Sequence, residues 1–231
     1  MVRYYFITAI IAFVFYSCEK ETAVSSFSSA NYGYFPLEAG SWMIYNVDSV
    51  VHLTDDDNTN QPDTSIVSYH FQIKEIVDSS FIDGQGNEAF RISRYKRLSD
   101  TLPWYFLEVW VAMRTSASAQ RVEDNVRFIK LAFPINSHAT WNGNAYNDLS
   151  EEDYSYSDFH ISSTIGNIHF DSTVTVLQLY DDNLIHRIFK QEKYANHIGM
   201  VYKQKDSLNI NGIGLVTNGI EFKETIQSYG H

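Results

Sequence analysis

Between Trp42 and Ile226 the chain nowhere offers a long apolar stripe at helical spacing closed by helix caps. Turn signals instead recur roughly every ten residues, which admits short antiparallel strands and little else. The clearest strand signal runs from Ile66 to Val77. There Val67, Tyr69, Phe71 and Ile73 share one face while Ser68, His70, Gln72 and Lys74 share the other, the period of two that a half-buried strand requires. The fold expected is all-β: a single antiparallel β-sandwich or a strongly curved, partly closed β-barrel. Aromatic residues make up 15% of the chain, and large rings filling the inside of such a sheet account for most of them.

The domain opens at Tyr34-Phe35-Pro36-Leu37, and a first strand follows through Trp42, Ile44 and Val47. A polar loop is expected from His52 to Ser65. Asp83-Gly84-Gln85-Gly86-Asn87 supplies the Gly and Asn residues that hairpin turns need for positive φ, and the strand returns from Glu88 to Leu98. Further strands are expected at Trp104–Arg114 and Val126–Phe133, with a loop over Thr115–Asn125 between them. Asp148–Phe159 reads as a loop that becomes strand by Ile161. Ile168–Phe170 and Val174–Tyr180 read as two strands bracketing Asp171-Ser172, with closing strands at Gly199–Tyr202 and Gly219–Ile226. Leu184–Ala195 stays open, because Ile185, Ile188 and Phe189 fit a helix or a strand pair. An aromatic-proline turn followed by a Trp occurs twice, at Phe35-Pro36 with Trp42 and at Phe133-Pro134 with Trp141. Chance or an internal duplication would each produce that echo.

The first eighteen residues belong to another grammar. Arg3 precedes an apolar run from Tyr4 to Tyr16, then Ser17 and Cys18, the layout of a secretory signal that is removed and not folded. Cys18 is the one cysteine of the chain, so no internal disulfide forms. Phe15-Tyr16-Ser17-Cys18 resembles the lipobox of bacterial lipoproteins at the small residue and the Cys, and departs from it at Phe15 and Tyr16. The resemblance implies cleavage before Cys18 and acylation of its sulfur and new N-terminus; several acyl chains anchor stably where one does not. The alternative, an uncleaved membrane helix, has a run short of the ~20 residues a span needs. The expected organisation is a signal peptide over 1–17, lipidated Cys18 with a Ser-rich flexible tether to 33, and one β-rich domain over 34–231.

Charge narrows the partners. The whole chain carries −11, and losing residues 1–17 removes Arg3 and no acid, which brings it to −12. So acidic a surface repels phosphate backbones, and no nucleic acid is expected. Catalytic signatures are missing: no nucleophile elbow, no phosphate-cradling glycine loop, no H-E-x-x-H. The eight histidines lack the short spacings of a zinc site. A calcium loop starting at Asp56 fails, with Gln61 where Gly is needed and Val67 where Glu is needed. Glu151-Glu152-Asp153 are adjacent on a loop, not opposed across a cleft as glycoside hydrolysis requires. The expectation is a protein that is not an enzyme, with no cofactor and no metal.

Tyr34-Phe35-Pro36-Leu37-Glu38-Ala39-Gly40-Ser41-Trp42-Met43-Ile44-Tyr45, Trp141-Asn142-Gly143-Asn144 and Tyr194 to Lys203 resemble small cell-envelope lipoproteins of Bacteroidota. That family has no settled activity, so the likeness implies an address, a lipid-anchored place in the envelope at the outer membrane, and a fold. Glu19-Lys20-Glu21 behind the Cys is similar to the surface-export signal of such proteins. Their O-glycosylation pattern, Asp-Ser/Thr before an aliphatic residue, Met or Thr, is matched at Ser49, Thr101, Ser172 and Ser207. Two functions then compete: a non-catalytic binding or assembly module for an envelope protein or glycan, with Trp104, Trp110 or Trp141 as contact points or else as core, and a carrier of a lipid or acyl chain in a curved-sheet pocket. An apolar chamber of several hundred cubic ångströms separates the second from the first.

Overall fold

The structure is a computed structural model that describes residues 31–55 and 63–231. A short 3₁₀ turn, Tyr32–Tyr34, leads into β1 (Trp42–Asp55), β2 (Asp63–Ile82), β3 (Glu88–Arg97), β4 (Tyr105–Arg114), β5 (Ser118–Glu123) and β6 (Val126–Ala132). The second half holds β7 (Thr140–Asn142), β8 (Asp153–Ile165), β9 (Ile168–Asp182), β10 (His186–Ala195), β11 (Gly199–Ile210) and β12 (Val216–Gly230). All are antiparallel neighbours in one twelve-stranded sheet.

Every strand except β6 pairs with the next in the chain, and β1 also pairs with β12 from Trp42↔Gly230 to His52↔Gly219. The sheet is therefore a nearly closed, barrel-like meander whose ladder is broken at one seam, between β6 and β7. Single hydrogen bonds stitch that seam. Ile129 N donates to Gly143 O at 2.9 Å, Trp141 Nε1 to Ile129 O at 3.0 Å, and Asn147 Nδ2 to Arg127 O at 2.8 Å. The Tyr156 hydroxyl donates to Ala132 O at 2.7 Å and accepts from Ala132 N at 3.0 Å. Closing the sheet leaves few bare strand edges to pair with other chains.

Alternation sets inside and outside. Along β1, Tyr45, Val47 and Ser49 are buried while Asn46 and Asp48 are exposed; on β2 the inward residues are Ile73, Glu75 and Val77. The outer face of these strands is polar, unlike the apolar band of a membrane barrel. Eight strands already make a barrel that side chains just fill, so twelve enclose more room. Large side chains take it up: Tyr45, Tyr194, Trp110, Tyr154, Tyr156 and Phe170 are all buried. A plug shuts the end where β1 starts. Tyr34 and Phe35 are buried there with Phe133 and Ile135, and Tyr32 meets Phe133 edge-on at 4.9 Å. Both aromatic-proline turns thus converge in one place. Arg114 Nη1 donates to Phe35 O at 3.0 Å and His197 N to Gly33 O at 2.7 Å. A Cβ on Gly33 would lie 2.2 Å from Asn196 Oδ1, so a side chain there would force the Asn196 amide to turn away.

Several segments differ from expectation. Both ends of the expected His52–Ser65 loop are strand, since β1 runs to Asp55 and β2 starts at Asp63. The Thr115–Asn125 loop contains β5, and β8 begins at Asp153. The strands expected around Asp171-Ser172 are one continuous β9, and Leu184–Ala195 resolves into a turn and β10, held on both sides by β9 and β11. The Asp83–Asn87 turn stands as expected, with Gly86 at φ 84 and Asp83 N donating to Asn87 O at 2.9 Å.

Candidate functional site

Register builds the most unusual part of the interior. On the inward parity Glu75 of β2 faces Arg94 of β3, which faces Glu108 of β4. On the other wall Glu224 of β12 faces Lys203 of β11, which faces Glu192 of β10. Each row alternates in sign, so every cross-strand contact is an opposite-charge pair. The rows meet across the lumen. Arg94 donates from Nε to Glu75 at 2.9 Å, from Nη1 to Glu108 at 2.6 Å and from Nη2 to Glu224 at 3.4 Å. Its guanidinium carbon lies 3.5 Å from the Trp110 ring centroid, a desolvated cation–π contact. Arg121 reaches the second oxygen of Glu75. Lys130 Nζ sits 2.8 Å from both Glu123 Oε1 and Glu192 Oε1, and Lys203 Nζ lies 3.4 Å from Glu123 and 3.8 Å from Glu192.

Protonation follows from this packing. Burial pushes the Glu75 carboxyl up, but Arg121 and Arg94 outweigh it and hold the group below its ordinary value. Glu123 and Glu192 are likewise raised by burial and pulled below their ordinary value by Lys130 and Lys203. Burial lowers Lys130, and its two carboxylates more than reverse that. Glu224 is the exception, because burial outweighs Lys203 and Arg94 and its carboxyl stays raised. Desolvation cancels much of the Coulomb gain of such a belt.

The belt divides two cavities. On the plug side a small one of about 40 Å³ is lined by Phe35, Leu37, Met43, Val77, Ile198 and Met200. This is far below the 300 Å³ or more of a ligand pocket. On the other side a polar chamber of about 140 Å³ is lined by Lys130, Lys190, Lys203, Lys205, Glu123, Glu152, Glu192, Gln178 and Tyr154. Lys190 donates to Glu152 at 2.6 Å. The chamber lies toward the end of the barrel that carries the β1–β2, β3–β4, β5–β6, β9–β10 and β11–β12 turns. At that end the tips carry exposed apolar side chains: Leu184 is 80% exposed, Ile185 68% and Ile213 81%, with Leu53, Ile66 and Leu215 nearby and Leu98 and Leu102 on the β3–β4 turn.

The residues singled out in the sequence scatter over this frame. Cys18 and the Asp56–Gln61 run lie outside the described residues. Ser49 is buried and faces inward, leaving no room for a sugar in the folded barrel; Thr101 and Ser207 face solvent. Ser172 is half-buried with its hydroxyl 2.6 Å from the Tyr34 hydroxyl. Trp110 is core and Trp141 closes the seam, packed 4.8 Å from Tyr156, so neither is a surface contact point. Trp104 is half-buried beside the Arg97 guanidinium at 4.4 Å. Sequence reasoning missed the belt. The signal was present in Glu75, which stands between Ile73 and Val77 on the parity that alternation turns inward. No three His, Cys, Asp or Glu side chains come together as a metal site among the described residues.

Fold and interior together define the class: a twelve-stranded, nearly closed antiparallel barrel with an ion-paired core. No protein-family model and no curated protein matches the chain. Among solved structures it is similar to one from Bacteroides fragilis described as an exported protein with a YmcC-like fold, at 13% identity and TM-score 0.40 over 85% of this chain and 98% of that one. One from Parabacteroides distasonis described as a lipoprotein is similar at 10% identity and TM-score 0.39, with the same coverage. Similarity of that degree leaves fold and function to this chain's own residues.

Proposed function

We propose that the protein is a lipid-anchored, non-catalytic binding module of the bacterial cell envelope, held at the outer membrane through Cys18, that docks an envelope protein with the free end of its barrel. The observation that carries this reading is the row of bare aliphatic side chains on adjacent hairpin tips, Leu184, Ile185, Ile213 and Leu215. Exposed apolar groups gathered at one end mark an interaction surface. The described chain enters at the opposite, plugged end at Asn31, so a tether from Cys18 leaves these tips pointing away from the anchoring membrane. The acidic surface argues against the tips resting on anionic headgroups. A protein partner with an apolar patch and basic rim fits both features. A carrier of acyl chains is the weaker reading, because the apolar cavity is only about 40 Å³.

The test uses the full chain in its native envelope. Chemical crosslinking with mass spectrometry is compared between wild type and Leu184→Ser/Ile185→Ser/Ile213→Ser. A specific crosslinked protein that disappears in the triple variant supports the reading. Crosslinks unaffected by the substitutions, or membrane retention unchanged in Cys18→Ala, overturn it.

A further inference from the structure

The polar chamber behind the belt is built unlike the rest of the interior. Its wall carries four lysines, Lys130, Lys190, Lys203 and Lys205, against three carboxylates, Glu123, Glu152 and Glu192. That is a surplus of one positive charge, carried by the exposed Lys205 at the chamber's rim, in a protein whose net charge is −11. The carboxylates are spoken for. Glu123 and Glu192 hold Lys130 and Lys203, and Glu152 holds Lys190. Among the described residues Lys205 forms no ion pair. Partial burial and the neighbouring Lys190 and Lys203 lower its pKa.

A second feature points into the same chamber. Gln178 is 6% exposed, and its Nε2 has no hydrogen-bond partner. Its position is no accident of packing. The β9–β10 ladder slips by one residue there, with Lys190 facing Leu179 and Gln191 facing Leu177. Gln178 is therefore the extra residue of a β-bulge, a device that re-aims a side chain. A buried amide donor left unpaired is costly; Nε2 itself is shut off from water as the side chain stands, so a ligand meets this donor once the amide turns toward it. Phe128, Leu149 and Tyr154 supply apolar lining beside these donors. The volume of about 140 Å³ is close to that of the engineered apolar cavity that admits benzene.

We propose that this chamber binds a monoanionic carboxylate carried on a body of roughly one six-membered ring, with Lys205 and Gln178 Nε2 as its donors. One negative charge balances the chamber, whereas a phosphate dianion overshoots it. This goes beyond docking at the hairpin tips and does not depend on it.

The experiment is isothermal titration of the folded protein with benzoate, with its neutral isostere benzamide, and with inorganic phosphate. Benzoate binding, no detectable benzamide binding, and at least tenfold weaker benzoate binding in Lys205→Met and in Gln178→Leu are the expected results. Lys205 is exposed, so its variant keeps the fold, which circular dichroism verifies. Equal binding of benzamide, tighter binding of phosphate, no benzoate binding at all, or benzoate affinity unchanged in Lys205→Met overturns the site. Loss of crosslinking in the hairpin-tip triple variant with benzoate binding intact separates this proposal from the docking surface.

Discussion

Replacing Lys130 with Met removes the ammonium that lies 2.8 Å from each of two buried carboxylates. Met keeps the aliphatic bulk, so the change reports on charge more than on packing. Lys203, at 3.4 Å and 3.8 Å, is then the nearest cation left for both Glu123 and Glu192. Breaking a buried pair by removing one partner costs about 3–5 kcal/mol, a large part of the 5–15 kcal/mol that holds a typical domain. For a chain of this size each kcal/mol moves Tm by about 2–4 °C, so a fall of about 6–20 °C is expected. The pH dependence separates this cause from a packing defect. In the wild type both carboxyls are held low. Their contribution is present above the unfolded carboxylate pKa of about 4.3 and is lost as pH falls through the lower folded values. Without Lys130, burial dominates and one of the two rises. A raised carboxyl binds its proton more tightly folded than unfolded, so the variant gains stability as pH drops from 7 to 5. Urea unfolding followed by tryptophan fluorescence at both pH values measures the gap, since Trp110 lies in the belt. Lys130→Met/Glu192→Leu is expected to recover most of the loss, leaving Glu123 with Lys203. A loss below about 1 kcal/mol, or the same gap at pH 7 and pH 5, refutes the assignment of Lys130 as keystone of the belt.

Glu224→Gln is expected to cost little at low pH and to stabilise the protein relative to wild type as pH rises above the unfolded carboxylate value of about 4.3. The Glu224 carboxyl is raised, so it weakens the fold once pH climbs past the unfolded value; a pH series of unfolding midpoints shows the wild type declining and the variant flat. Gly219→Ala is expected to lose about 1–3 kcal/mol, because Gly219 sits at φ 134 and a Cβ there would lie 2.2 Å from Ser207 O; thermal unfolding measures it. Peptide mass spectrometry of protein from its native host is expected to find any O-glycan on Thr101 or Ser207 and none on Ser49. Glycan on Ser49 at full occupancy would contradict its inward placement.

Legibility varied with the range of the interaction. Strand limits such as Glu88–Arg97 and Tyr105–Arg114 follow from turn chemistry and alternation within a dozen residues. β5 escaped notice because Ser118-Ala119-Gln120-Arg121-Val122-Glu123 looks like a solvated loop. Its polar side chains are paid off by distant partners, Arg121 by Glu75 and Glu123 by Lys130. The helix-like spacing of Leu184–Ala195 was overridden in the same way, since β10 is a strand by virtue of two neighbours and not of its own pattern.

The sequence by itself determined that the chain is all-β, where hairpins such as Asp83–Asn87 turn, and that its one cysteine stands in a lipobox-like setting ahead of the domain. Those features are encoded locally, in periodicity, turn residues and a short contiguous motif. Tertiary structure alone decided that β1 and β12 join the two halves of the sheet, that a belt of charges faces inward, and that an unpaired glutamine and a spare lysine share one chamber. Each of these depends on register between residues tens to hundreds of positions apart, and register is set by the whole sheet at once.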